Sequence, residues 1–150
     1  MKKLLAILFL SMLFSCNETG NKNVENTVEE THQPHEADKA LQLNNGKKWQ
    51  ADSSTNNNVS NLQSVIQEFY DNNNLTIPAY KLAAGELQTG LDKMVRECKM
   101  KGPDHDALHL WLVPLMQQVK ELNKAVTTDD ASRIFAGIDQ HVNRYNQFFK

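Results

Sequence analysis

The chain is poor in cysteine, with only Cys16 and Cys98 in 150 residues. Two thiols cannot build a disulfide scaffold or a four-thiolate zinc or iron–sulfur site. It also lacks an excess of either charge. Lys and Arg number 16 against 18 Asp and Glu, a net charge of −2, which excludes the dense basic face of a nucleic-acid binder. The six glycines form no phosphate-binding loop, and no segment repeats. Long apolar runs are missing too. Residues 4–14 are apolar except for one serine, which is too short for a permanent helix of roughly 20 residues across a bilayer. What remains is a 40% hydrophobic chain of a length that suits one domain with one core.

The short apolar run has a specific setting. Lys2 and Lys3 precede it, and Ser15 and Cys16 follow it. A basic start, a short apolar stretch and a small residue predict a secretory signal peptide over 1–15. Leu13-Phe14-Ser15-Cys16 resembles the lipobox of bacterial lipoproteins, although Phe14 is bulkier than usual at its position. The resemblance implies that Cys16 carries lipid and becomes the mature N-terminus. Several acyl chains on one residue would hold the protein at a membrane, where one chain alone binds marginally. With Lys2 and Lys3 removed, 14 basic residues face 18 acidic ones.

Residues 16–40 read as the lipidated N-terminus and an acidic tether. Their apolar side chains are few (Val24, Val28, Ala37 and Ala40 after the cysteine), and six acids stand against Lys22 and Lys39. Such a segment buries too little surface to offset its ordering entropy. The domain at 41–150 is then neutral, with 12 basic and 12 acidic residues. It starts with a lead-in over 41–54, where Asn45-Gly46 signals a turn and Trp49 is expected against the domain.

From there the apolar spacing is helical. Val59, Leu62, Ile66 and Phe69 recur at three and four, predicting a first helix over 55–72. Thr76 and Pro78 open a second, striped by Tyr80, Ala84, Leu87, Leu91, Met94 and Cys98. Pro103 opens a third, with Asp104 and Asp106 at the positive end of its dipole; Pro114 inside it should kink it. Thr127 or Thr128, with Asp129 and Asp130, caps a fourth reaching Phe149. The expected fold is all-α, an antiparallel up-down-up-down four-helix bundle.

The residues that could carry chemistry gather at one predicted end. Cys98 falls about 20° from Leu87 on the helical wheel, and His105 and His109, one turn apart, fall near Leu112 and Met116. Both imidazoles are therefore expected to lean inward. Two histidines at i and i+4 can reach one metal ion. The topology adds His141 from the fourth helix and Met100 from the link. A soft set of sulfur and imidazole favours copper(I) or zinc over magnesium or calcium. The bland readings are a core cysteine acting as a small hydrophobe and helix-end histidines satisfied by caps or water. A haem between Met and His is a further option, without a Cys-x-x-Cys-His for covalent attachment. His32 and His35 read as solvated residues of the tether. An enzyme has little to rest on, since no base is placed beside Ser132 or Thr127 and a Cys98–His105 pair would lack an oxyanion hole. Trp111 falls about 90° off the stripe and reads as a flank or a contact for Trp49.

The stretch from Cys98 through Pro114 (CKMKGPDHDALHLWLVP), with Leu43-Asn-Asn-Gly-Lys-Lys-Trp49, resembles a group of small lipoproteins of Bacteroidetes-type bacteria over about 41–150. The resemblance implies an envelope protein with a helical domain; it brings no activity and no site residues. The expectation is thus a non-enzymatic envelope lipoprotein, lipid-anchored at the periplasmic face or cell surface. Its domain would bind or sense copper or zinc through Cys98, His105, His109, His141 and Met100, or else contact another envelope protein without a cofactor.

Overall fold

A computed structural model of the chain describes residues 40–150. The expected signal peptide, Cys16 and nearly all of the tether, with His32 and His35, lie outside the described residues. Four long helices follow in order: α1 (Ser53–Asn72), α2 (Ile77–Glu97), α3 (Pro103–Lys124) and α4 (Thr128–Asn143), with a single-turn α5 (Tyr145–Phe148) after them. Each long helix contacts the next, and α1 meets α4 to close the ring. This is the up-down-up-down bundle that four apolar stripes and short links require. No described helix is long and apolar enough to cross a membrane.

The helix ends follow local chemistry. Asp52 caps α1 by accepting from the Thr55 N–H at 2.7 Å, so the helix starts two residues earlier than periodicity suggests. Pro78 and Pro103 stand in the first turns of α2 and α3, where a missing N–H costs nothing. The Thr127 hydroxyl accepts from the Asp130 N–H at 3.2 Å and starts α4. The fourth helix was expected to run unbroken to Phe149. It instead ends at Asn143, and Tyr145–Phe148 form a separate turn. Backbone pairing then ends α5 at Phe148: the Trp49 N–H donates to the Phe148 carbonyl at 2.7 Å, and the Lys150 N–H donates to the Trp49 carbonyl at 3.0 Å. The C-terminal residues thus leave helical geometry to form a short parallel ladder with the lead-in.

The lead-in is itself a tight turn. Asn44 and Lys47 exchange both backbone hydrogen bonds around Asn45 (φ 50°) and Gly46 (φ 79°), the positive-φ pair that an Asn-Gly hairpin turn needs. Trp49 folds back on it, its indole N–H donating to the Gln42 carbonyl at 2.7 Å, and its ring packs against the core.

The core runs the length of the bundle, through Leu62, Leu87, Leu91, Leu108, Leu115, Leu122 and Ile138. Thr55 and Asn58 are its buried polar residues. Both are satisfied, Thr55 by the Met100 sulfur at 3.7 Å and Asn58 by the Glu97 carboxylate at 2.9 Å. At Gly90 a Cβ would stand 2.7 Å from a Leu62 methyl, so the missing side chain lets α1 close on α2. Gly85 has no such reason, because a Cβ there would meet nothing within 4 Å. Gly85→Ala is expected to stabilise the fold by about 0.5–1 kcal/mol through helix propensity alone. Urea unfolding checks this, and a neutral or destabilising result would contradict it.

Candidate functional site

Five residues were expected to meet where α2 hands over to α3. Cys98 caps α2 in extended backbone, its N–H donating to the Met94 carbonyl at 3.0 Å. It is a half-buried free thiol packed against the core. Gly102, at φ 65°, caps α3, and the Gly102 carbonyl accepts from the His105 and Asp106 N–H groups at 2.9 and 3.1 Å. His105 therefore sits in the first turn of α3, with His109 one turn on.

The two imidazoles converge. Their Nε2 atoms stand 3.2 Å apart, with ring planes at 78° and centroids 4.5 Å apart. One ring donates and the other accepts, according to tautomer. They do not lean inward as the wheel angle suggested. His105 is half-buried and His109 is exposed. The buried arc of α3 comprises Ala107, Leu108, Trp111, Leu112, Leu115, Val119 and Leu122. Its centre lies about 80° from His105 and about 120° from His109 at 100° per residue. The helix serves two neighbours, α2 and α4, and facing both rotates its inward arc towards Trp111. Trp111 is accordingly a buried core residue, 3% exposed. The expected flank or Trp49 contact is replaced by rings from the other end of the chain, His141 and Tyr145 at 5.7 and 5.0 Å.

That rotation also decides where His141 goes. Its Nε2 donates to the Trp111 carbonyl at 2.8 Å, and the Trp111 indole N–H donates to the His141 carbonyl at 3.2 Å. Two reciprocal bonds staple α4 to α3. They fall just before Pro114, which stands inside α3 and has no N–H to give the Leu110 carbonyl. Burial lowers the His141 pKa, the bond to the Trp111 carbonyl opposes this, and the Arg144 charge lowers it further. Trp111 is two residues from His109, so their side chains leave α3 about 200° apart. His141 thus serves another face of α3. A small cavity of about 220 Å³ adjoins this staple, lined by Leu41, Leu110, Trp111, His141, Arg144 and Phe148.

Met100 is also engaged elsewhere, accepting from the Thr55 hydroxyl on α1. Burial raises the Tyr145 phenol pKa, and the charges of Asp52 and Cys98 raise it further; its hydroxyl donates to Asn56 at 2.9 Å. Among the described residues, no group of three or more His, Cys, Asp or Glu is placed to hold one metal ion. Of the expected set, the structure brings together His105 and His109.

The residue that organises this end most was missed from the sequence. Asp52 caps α1 with one carboxylate oxygen, which also accepts from the Ser54 hydroxyl at 2.9 Å. Its other oxygen accepts from the Lys99 N–H at 2.7 Å and so ties α1 to the α2–α3 link. An Asp three residues before Thr55 is a legible cap signal, but the long-range bond has no sequence signature. The match to known proteins adds nothing to this geometry: no family model, curated protein or solved structure matches the chain.

Proposed function

We propose that the chain is a non-enzymatic envelope lipoprotein, held at a membrane through lipid on Cys16, whose helical domain captures a tetrahedral metal ion on His105 and His109. One observation carries the metal reading: the Nε2–Nε2 separation of 3.2 Å. Two nitrogens bound at about 2.05 Å to a tetrahedral ion stand about 3.3 Å apart, whereas the right angle of a square-planar ion brings them to about 2.9 Å. The observed spacing suits zinc or copper(I) better than copper(II). Binding moves the shared proton to Nδ1 and leaves both Nε2 lone pairs free to donate. Met100 and His141 already hold partners, and Cys98 packs against the core, so the two imidazoles are the ligands this reading retains.

Zinc titration of the detergent-solubilised full-length chain tests it, read by calorimetry and by metal content after gel filtration. The wild type should bind zinc, and the His105→Ala/His109→Ala variant should lose that binding. Equal binding in both proteins overturns the site. A blank wild type overturns the metal reading and leaves a cofactor-free interaction module for another envelope protein. The anchor has its own readout: fatty-acid label should be incorporated into the wild type and absent from Cys16→Ser, and an unlabelled wild type removes it.

A further inference from the structure

The imidazole pair is half of a coordination sphere. A structural zinc is almost always four-coordinate, and this chain brings two ring nitrogens to the point where an ion would sit. No third His, Cys, Asp or Glu joins them among the described residues. The pair is not sunk in a cavity either. His109 is exposed, at the outer edge of α3 near one end of the bundle, so the vacant side of an ion there would face outward.

We propose that a second copy of this chain completes the sphere. One zinc is then held by His105 and His109 from each of two copies, on a two-fold axis through the metal. This rests on the metal reading above and adds the identity of the missing ligands. A two-fold contact is isologous, so the same patch meets itself, and two identical pairs crossed at a tetrahedral ion satisfy that symmetry without further ligand types.

The surroundings fit a contact that depends on the ion. Val113, one turn beyond His109 on α3, is 57% exposed. Val95 in the last turn of α2 is 53% exposed. Val113 offers apolar surface on the side of α3 that carries His109, and Val95 stands on the neighbouring helix. They are far too few for the roughly 1,200–2,000 Å² of a stable protein interface, so they cannot hold two copies together alone. Asp104 and Asp106 stand in the same first turn as His105. The Asp104 carboxylate turns away to accept from the Gln50 N–H at 2.9 Å, but two copies bring their Asp106 carboxylates towards the axis, where they repel one another until a divalent cation offsets them. The domain itself is neutral, 12 basic against 12 acidic residues over 41–150, so net charge does not keep copies apart.

The test combines stoichiometry with mass on the full-length chain in detergent, using zinc chloride as the probe. The calorimetric break should fall at one zinc per two chains, and sedimentation velocity should show the protein mass doubling when zinc is added and halving with a chelator. His109→Ala should remain monomeric at every zinc concentration. A break at one zinc per chain with unchanged mass overturns the shared site and leaves the single-chain metal reading standing. Absence of zinc binding overturns both. A dimer that forms without zinc, or persists in His109→Ala, also overturns the proposal, because its contacts would then lie elsewhere.

Discussion

Phe135→Ala is expected to cost about 3–5 kcal/mol of folding stability, the cost of emptying a large aromatic site in a packed core. Phe135 is 1% exposed. Its ring meets those of Phe69 at 4.3 Å, Tyr70 at 5.5 Å and Tyr80 at 5.8 Å, joining α4 to α1 and α2 at the end away from the histidines. Those neighbours are large and already in contact with one another, with Phe69 and Tyr80 at 4.8 Å. They cannot collapse into the vacated space without leaving their own contacts, so most of the cavity persists. Domains of this kind have roughly 5–15 kcal/mol in all, so one ring is a large share. The urea midpoint should fall with an unchanged slope, and the melting temperature by about 10–25 °C. A loss below about 1 kcal/mol would show that the aromatic cluster does not hold the three helices together.

Asp52→Ala is expected to cost about 1–2 kcal/mol at neutral pH, and the cost should depend on pH. Partial burial pushes the Asp52 carboxyl up, but the adjacent Thr55 side chain together with hydrogen bonds from the Lys99 and Thr55 N–H groups and the Ser54 hydroxyl outweighs this and brings it down to about 2. The ordinary value is 3.8. A carboxyl depressed by folding stabilises the native state fully above its unfolded pKa, and that contribution is lost as pH falls through the folded value. The magnitude is discounted for the water that screens this partly exposed group and agrees with the usual worth of an N-cap. The gap between wild type and variant should therefore be widest above about pH 4 and close towards about pH 2. Asp52→Asn should retain part of it, because an amide offers one acceptor where two N–H groups need one each. Parallel urea curves at several pH values measure the gap. A difference that stays constant with pH would show that the ionised carboxylate does not contribute beyond its shape.

Much of the fold was legible because helices announce themselves locally. Pro78, Pro103 and the Thr127–Asp130 cap stand where the chain turns, and the three-and-four spacing from Val59 to Phe69 and from Tyr80 to Met94 matches the buried faces. Asn45-Gly46 makes its turn. The break before Tyr145 was not legible, since the stripe through Val142, Tyr145 and Phe149 continues unbroken, and neither was the exit from helical geometry at Phe149, which pairs with Trp49 a hundred residues away.

The candidate site divides along the same line. That His105 and His109 share one side of a helix follows from a spacing of four residues and a rise of about 1.5 Å each, which no later packing alters. Whether that side faces the core or water was settled by the two neighbours of α3, which turned Trp111 inward and left His109 exposed. His141 and Met100 were drawn to the Trp111 carbonyl and the Thr55 hydroxyl for the same reason. Periodicity sets the angles between side chains on one helix, while the direction of the whole set is a balance of surfaces contributed by helices distant in sequence.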